Sequence, residues 1–271
     1  PAQSATPPVT RGMHGGVALC AGVLAFVALA LVPLFTRRVE DKPAPSSIDE
    51  SLCVGCRQCA LDCPYEAIAM IPRVGGRSDE VGRVDPSKCV SCGICAGSCA
   101  PMGVGPTGRT GRNQLSVVRN FIQRPERRAG EIVVIGCDRT APGLSVAARD
   151  SGAVFYPVDC AGSLHTSVIE LLVRAGSGGV LVLACPPRDC WNREGPRWLS
   201  ERVYHEREAE LQARVDRRRV RIAHADAHDA RGTRAVITAF AADLAALGAP
   251  QPDATLDVDT ACEPVELEPS R

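Results

Sequence analysis

The sequence has few aromatic residues and no net charge. Aromatic side chains make up 4% of the 271 residues, and Lys plus Arg equal Asp plus Glu at 31 each. A single-stranded nucleic-acid binder needs aromatic stacking platforms and a positively charged groove, so nucleic acid is not expected as a partner. No G-x-G-x-x-G motif follows a predicted strand, which argues against a nicotinamide or flavin site. No nucleophile or general base stands out, so a catalytic site on this chain is not indicated.

Cysteine, in contrast, is abundant, and eight of the 14 cysteines lie in two matching runs. Each run reads C-x2-C-x2-C-x3-C, and the second repeats the first at an offset of 36 residues. Three thiolates at this spacing can bind one cubane, while the fourth points toward a second cluster. We therefore predict two [4Fe–4S] clusters with exchanged fourth ligands. The first set is Cys53, Cys56, Cys59 and Cys99, and the second is Cys89, Cys92, Cys95 and Cys63.

An alternative interpretation of these runs is a pair of zinc sites, because C-x2-C pairs also bind zinc. Zinc does not explain the third cysteine at the same spacing in both runs. The stretch from Ile48 to Val104 resembles bacterial-type two-cluster ferredoxins, although Ala100 stands where the first run has Pro64. Cluster ligands must remain reduced thiolates, which favours a cytoplasmic location for this part of the chain.

A long uncharged segment precedes the cysteine runs. Val17–Phe35 reads VALCAGVLAFVALALVPLF, 19 residues without a charge. A helix of that length spans about 28 Å, close to the hydrocarbon thickness of a bilayer. Two arginines and a lysine follow the segment against one arginine before it, which by the positive-inside rule places the following domains in the cytoplasm. We predict a single-pass transmembrane helix over residues 17–36; a signal peptide, a signal anchor and a buried core helix are the alternatives.

The pattern changes after residue 130, where apolar β-rich runs alternate with helical ones. Strands are predicted at Glu131–Ile135, Ala153–Val158, Gly179–Ala184 and Arg219–Ala225. Helices are predicted over residues 143–151, Leu164–Ala175, Pro196–Val215 and Thr233–Leu247. This alternation is typical of a parallel, doubly wound α/β sheet.

The predicted fold class is therefore α/β and α+β multidomain, with one transmembrane helix, a ferredoxin-like two-cluster domain and a parallel doubly wound α/β domain. The predicted divisions are a loop (1–16), the transmembrane helix (17–36), a linker (37–47), the two-[4Fe–4S] ferredoxin domain (48–104), a second linker (105–130), the α/β domain (131–250) and an acidic tail (251–271).

Four further cysteines share one position in the predicted sheet. Cys137, Cys160 and Cys185 each stand at or just past the end of a strand, and Cys190 follows through a short loop. Ligands of open α/β sheets bind outside the carboxyl ends of the strands. Four thiolates at this edge could complete a [2Fe–2S] or [4Fe–4S] site, or less readily a zinc site. The alternative is that they are small buried residues, a common role for free cysteine.

Residues 131–230 resemble the iron–sulfur delta subunit of methyl-viologen-reducing hydrogenases. The matching pieces are Cys137, the Cys160-Ala161-Gly162 triplet, the GVLVLA strand with Cys185 and Cys190 after it, Gly195 and Arg202. The family's first C-x2-C is not kept, because position 140 is Thr140. The resemblance implies a [2Fe–2S] cluster on these four cysteines. It also implies electron transfer between a hydrogenase or similar donor and a heterodisulfide-reductase-type partner.

The function expected from the sequence is that of a membrane-anchored iron–sulfur electron-transfer subunit of an oxidoreductase complex. It would relay electrons between a membrane redox carrier, such as a cytochrome b or quinone site, and a soluble hydrogenase- or heterodisulfide-reductase-type partner. A membrane-tethered iron–sulfur redox sensor and a cytosolic zinc-dependent scaffold are the alternatives. His224 and His228, past the fourth strand, could tune a cluster by hydrogen bonding, although surface or capping roles are the simpler interpretation.

Overall fold

The structure is a computed structural model, and it describes residues 19–29, 31, 43–137, 141–205, 207–226 and 228–256. The predicted loop 1–16, the basic flank of the apolar segment and the acidic tail beyond residue 256 lie outside these ranges. The chain divides into two compact units, Pro1–Lys42 and Pro43–Arg271.

In the first unit, the described residues of helix α1 are 19–29 and 31, with Leu19, Leu24 and Phe26 exposed. Residues 19–29 extend about 16 Å at 1.5 Å per residue, roughly half of a hydrocarbon core. Among the described residues, no helix combines the length and apolar character needed to cross a membrane. The predicted fold class is therefore wrong in its transmembrane helix over 17–36. The predicted localisation, single-pass in a membrane with the iron–sulfur domains on the cytoplasmic side, is wrong with it.

The second unit begins with two short antiparallel pairs of strands. β1 (Ser47–Ile48) pairs with β4 (Val104–Gly105), and β2 (Ile68–Pro72) pairs with β3 (Glu80–Val84). Between these strands lie the one-turn helices α2 (Gln58–Leu61) and α3 (Ile94–Ser98). This region therefore consists of two similar halves, each with one cysteine run that leads into one short helix.

The two halves share a backbone detail at the start of their helices. Arg57 precedes α2 with φ 67°, and Gly93 precedes α3 with φ 77°. Glycine adopts this left-handed conformation without steric cost, whereas arginine does not. Arg57 is held there by an ion pair with Glu80, with 2.6 Å between Nη2 and Oε2. The chain therefore turns in the same way at both cysteine runs, whichever residue stands at the turn.

Helix α4 (Gly111–Ile122) lies in the stretch predicted as the second linker. Its N-terminus has a capping box, in which the Thr110 hydroxyl accepts from the Asn113 backbone N–H and the Asn113 side chain accepts from the Thr110 backbone N–H. Val118 and Phe121 are buried in the core that α4 shares with the α/β sheet. The segment after the ferredoxin-like strands is thus partly a structural helix.

The sheet of the α/β region has four parallel strands in the order β6-β5-β7-β8. The strands are β5 (Ile132–Cys137), β6 (Val154–Val158), β7 (Gly179–Ala184) and β8 (Val220–His224). The helices that alternate with them are α5 (Ala141–Asp150), α6 (Thr166–Arg174), α7 (Gly195–Tyr204) and α8 (Ala230–Ala245). The alternation of apolar runs and helical segments in the sequence corresponds to this arrangement.

Both faces of the sheet are buried, because successive side chains of each strand point to opposite sides. Val133 and Val180 lie in the core that contains α4 and α6, whereas Val134 and Leu181 lie in the core that contains Leu144 of α5 and Phe240 of α8. Each such apolar side chain contributes about 1.5–3 kcal/mol when fully buried. The central strands are therefore held on both faces, and the loops at their carboxyl ends start from a rigid support.

One predicted helix is shorter in the structure. The sequence pattern predicts a single helix over residues 196–215, but α7 ends at Tyr204. The chain then turns back, so that the Leu211 N–H donates to the Arg202 carbonyl at 3.0 Å, and Ala209 has φ 54°. Leu211 and Val215 are buried in the core. Their apolar spacing resembles a helical stripe although they belong to an irregular segment.

The ferredoxin-like region packs directly on the α/β region. A 3₁₀ turn (Ala161–Ser163) follows β6 and lies against both α3 and the start of α7. At this place two glycines meet, because a Cβ atom built on Gly162 would lie 2.3 Å from the Cα of Gly195. No real Cβ can occupy that space, so the close approach of turn and helix requires glycine at position 162.

We predict that Gly162→Ala will lower the free energy of unfolding by about 2–3 kcal/mol, because the added methyl group forces two backbone segments apart. The measurement is chemical denaturation of the full chain followed by far-UV circular dichroism. Gly22→Ala is the control, since a Cβ at Gly22 would have nothing within 4 Å. Equal transitions for Gly162→Ala and the wild type would show that the turn and the helix are not in this contact.

Candidate iron–sulfur sites

The first predicted cysteine set surrounds one cavity. Cys53, Cys56, Cys59 and Cys99 line it together with apolar residues that include Ile48, Met70 and Val104. The cavity is narrow and is partly open to solvent. Three of the cysteines come from the loop before α2 and from α2 itself, and Cys99 comes from the end of α3.

The second predicted set surrounds a separate narrow cavity. Its lining includes Cys63, Cys89, Cys92 and Cys95, with Ala67, Ile68 and Ile94 among the apolar neighbours. Each cavity thus takes three cysteines from one run and the last cysteine from the other run. A cluster needs several thiols around one space, and both cavities provide that donor set. The structure brings together the two sets that the spacing predicts, while the ligation itself stays a prediction.

The thiols of each cavity affect each other electrostatically. Burial raises the pKa of Cys59 to about 12, and the neighbouring Cys99, Cys56 and Cys53 add to this shift. Burial likewise raises the pKa of Cys92 to about 11, with smaller contributions from Cys63 and Cys89. The cysteines that raise the pKa of Cys59 and of Cys92 are thus members of the same set, whereas Cys95 is affected by Cys59 of the other set as well as by its own neighbours. Without metal these thiols hold their protons at neutral pH, and metal binding must release them.

Backbone and hydroxyl groups reach the sulfur atoms of the second cavity. The Ser46 N–H donates to Cys89 Sγ at 3.3 Å, and the Ala67 N–H donates to Cys63 Sγ at 3.3 Å. Cys95 Sγ lies 3.6 Å from the Ser46 hydroxyl. Hydrogen bonds to the sulfurs are among the factors that set the reduction potential of a cluster. Ser46 lies in the predicted linker, and nothing in the sequence pattern indicates that it contacts these cysteines.

The four remaining predicted ligands lie at the carboxyl edge of the parallel sheet. Cys137 ends β5, Cys160 follows β6, Cys185 follows β7, and Cys190 lies at the end of the next loop. The Cys185 side chain hydrogen-bonds with Cys137 and Cys190, and Cys190 hydrogen-bonds with Cys160. The four side chains are thus linked in series, from Cys137 through Cys185 and Cys190 to Cys160.

The pKa values of the thiols in this group are shifted in opposite directions. Hydrogen bonds from Cys160 and then Cys185 lower the pKa of Cys190 to about 3. The pKa of Cys160 is raised, first by its hydrogen bond to Cys190 and then by burial, and that of Cys185 is raised chiefly by its bonds to Cys137 and Cys190. The ionisation of each of these thiols therefore depends on its neighbours, as expected for donors grouped at one site.

One polar residue next to the first cavity, His165, was not recognised from the sequence. His165 is buried, its Nδ1 accepts from the Ser167 N–H, and its Nε2–H donates to the Cys99 carbonyl at 3.2 Å. Burial, followed by the nearby Arg202 charge, lowers the pKa of His165 to about 4, so the ring is neutral at neutral pH. The α/β region therefore contacts the backbone of a predicted cluster ligand directly.

His224, which is the last residue of β8, and His228 both lie at the surface. His224 is exposed, and its Nδ1–H donates to the Cys185 carbonyl at 2.9 Å. The His228 backbone N–H donates to the Asp226 carboxylate, which is a turn contact. Across the described ranges, no three His, Cys, Asp or Glu side chains are grouped as a site for a single metal ion. Thr140 and Cys262 lie outside the described residues.

Comparison with known proteins identifies both regions. Residues 52–103 match the 4Fe-4S dicluster domain family, and residues 131–248 match the family described as methyl-viologen-reducing hydrogenase, delta subunit. A curated relative is an iron–sulfur subunit of the CoB--CoM heterodisulfide reductase of Methanopyrus kandleri, which is 39% identical over 52 residues. That match covers 19% of this chain and 8% of the relative, so the chain spans a small part of that protein's length.

These matches define the class of each region first. The chain carries two regions that are related to iron–sulfur subunits of hydrogenase and heterodisulfide reductase. More specifically, a 4Fe–4S dicluster ferredoxin domain is joined to a domain of the methyl-viologen-reducing hydrogenase delta-subunit type. The resemblance inferred from the cysteine spacing and the GVLVLA strand is confirmed.

The crossed arrangement predicts how iron content responds to cysteine removal. Replacing Cys53, Cys56 and Cys59 by alanine should remove one [4Fe–4S] cluster, about four irons and four sulfides per chain. Adding Cys99→Ala to this variant should change nothing further, because Cys99 lines the cavity that has already lost its cluster. Adding Cys63→Ala instead should also remove the second cluster. Iron and acid-labile sulfide analysis distinguishes the two additions, and the reverse pattern would show that each run binds its own cluster.

Proposed function

We propose that this chain passes single electrons through three iron–sulfur sites between two redox partners. The observation that carries the proposal is the presence, in one compact unit, of two cavities lined by four cysteines each and a third group of four cysteines. Bound clusters would supply one-electron transfer. The cysteines of this chain would hold the clusters, and backbone N–H groups such as those of Ser46 and Ala67 would donate hydrogen bonds to the ligand sulfurs.

The third site is proposed to bind a cluster on Cys137, Cys160, Cys185 and Cys190. Its support is the continuous contact of four thiols at the sheet edge where ligands of α/β folds bind. Resemblance to the hydrogenase delta subunits favours [2Fe–2S] as its nuclearity. Cys137 and Cys160 are buried, whereas Cys185 and Cys190 are partly exposed, so the site has one side open toward a partner.

The order of the sites follows from residues that lie between them. Tyr65, next to the second cavity, is affected electrostatically by Cys92 of that cavity and by Cys190 and Cys160 of the third group. Arg193 lies over the Tyr65 ring at 5.1 Å and donates to the Pro64 carbonyl at 3.1 Å. The second cavity is therefore adjacent to the third group. We propose a relay with the first cavity at one end, the second in the middle and the sheet-edge site at the other end.

The partners proposed for the two ends are redox proteins of the hydrogenase and heterodisulfide-reductase type. The curated relative is named as an iron–sulfur subunit of heterodisulfide reductase, and the matched family is named for a hydrogenase subunit. Both names describe components of multi-subunit redox enzymes. A cytochrome b or quinone-binding membrane protein as a partner stays a prediction from the sequence.

The proposal predicts that anaerobically purified protein contains iron and sulfide for three clusters, all reduced rapidly and reversibly. Cys160→Ala should lose the iron of the sheet-edge site and keep the electron paramagnetic resonance signals of both [4Fe–4S] clusters. Cys20→Ala is the control, since Cys20 is exposed in the separate first unit. Potentiometric titration with iron analysis measures both effects.

Two results would contradict this function. If metal analysis finds zinc in place of iron at the sheet-edge cysteines, that site cannot carry electrons and the proposed relay would stop at the second cavity. Slow reduction accompanied by loss of the sheet-edge cluster would instead indicate a redox sensor.

A further inference from the structure

The largest fully buried side chain in the described residues is a charged one, Arg202 of α7. Its Nη1 donates to the Ser98 hydroxyl at 3.1 Å, and its Nη2 donates to the Gly162 carbonyl at 2.6 Å. Nη1 also lies 3.7 Å from the Asp62 carboxylate, whose side chain is as deeply buried, each being 1% exposed. One guanidinium therefore contacts three separate segments of the chain.

Each of these three segments carries a predicted ligand of a different cluster. Asp62 immediately precedes Cys63, which lines the second cavity. Ser98 immediately precedes Cys99, which lines the first cavity. Gly162 follows two residues after Cys160, a member of the sheet-edge group. A single side chain thus joins the neighbours of all three groups.

The surroundings of Arg202 are built to receive it. A Cβ on Gly97 of α3 would lie 2.6 Å from Arg202 Nη2, so glycine leaves the space through which the guanidinium reaches α3. The Asp62 carboxylate also accepts hydrogen bonds from the Ser98 hydroxyl at 2.6 Å and from Arg207 Nη2 at 2.8 Å. Burial lowers the pKa of Arg202 to about 10, against the opposing effect of Asp62, so the side chain stays charged at neutral pH.

A buried charge of this kind is unfavourable unless its partners are well placed, and replacing such a network by apolar residues often does not reduce stability. Stability alone therefore does not explain the arginine. The planar, forked guanidinium of arginine, in contrast, fixes the direction of each hydrogen-bond partner as well as its distance. We propose that Arg202 is a positioning residue for electron transfer between the two domains, holding the three ligand-bearing segments in one fixed arrangement. This inference rests on the proposed function of the three sites.

The test uses the full chain with its clusters and the variant Arg202→Met, which keeps much of the length of the side chain and removes the fork. Asp62 then still has Ser98 and Arg207 as partners, so no buried charge is left alone. Arg197→Met is the matched control on the same helix, where Arg197 is exposed and pairs with Glu194 in the same turn. The readouts are iron and sulfide content, spin–spin coupling between reduced clusters by electron paramagnetic resonance, and freeze-quench kinetics of reduction.

Arg202→Met is expected to keep the iron and sulfide of the wild type. It should lose the spin–spin splitting between the second [4Fe–4S] cluster and the sheet-edge cluster, and it should slow reduction of the sheet-edge cluster relative to the other two. Arg197→Met should match the wild type in every readout. Wild-type splitting and wild-type kinetics in Arg202→Met would overturn the inference.

If Arg202→Met loses its iron altogether, Arg202→Lys decides the question, because lysine keeps the charge and lacks the planar fork. A positioning role predicts full iron content with diminished splitting in the lysine variant. Wild-type behaviour of that variant, or loss of its iron as well, would overturn the inference. Absence of iron from the wild-type protein would instead refute the proposed function, so the two failures are distinguishable.

Discussion

Burying several thiols side by side is the constraint on which the rest of this structure depends. Burial raises the pKa of Cys59 and Cys92 far above neutrality. These thiols therefore keep their protons unless a metal centre displaces them. The ferredoxin loops shape the two cavities, whereas the sheet edge gathers cysteines from the ends of separate strands and the loops after them, where hydrogen bonds lower the pKa of Cys190.

The α/β domain contributes more than a third group of cysteines. Its 3₁₀ turn and α7 pack on α3 of the ferredoxin domain, and His165 donates to the backbone of Cys99. Each domain therefore completes the environment of the other's predicted ligands. The packing between the two domains is a close approach of backbones, because a Cβ atom built on Gly97 of α3 would lie 3.0 Å from the Gly162 carbonyl oxygen.

The cysteine sets and the parallel strands were predictable because both depend on local spacing. The run GVLVLA predicts a buried strand, and a fixed cysteine interval predicts a shared cavity. The end of the helix predicted over 196–215 was not predictable, because Leu211 and Val215 keep helical spacing in a segment that turns back on Arg202. The hydropathy of the apolar segment at 17–36 likewise predicts a spanning helix, whereas the part of it that the structure describes is helix over residues 19–29 and at 31. Asp62, Arg202 and Ser46 are polar residues far apart in sequence, and only the packed fold brings them to the cysteine groups.

Helix α3 carries Cys95 toward the second cavity and leads into Cys99 at the first, one helical turn later. The two [4Fe–4S] centres thus share a single turn of backbone as a structural support. Loss of the first centre would free only the C-terminal end of that turn, because Cys95 at its other side belongs to the second cavity. Assembly in the cell can then pass through a domain that holds the second centre alone.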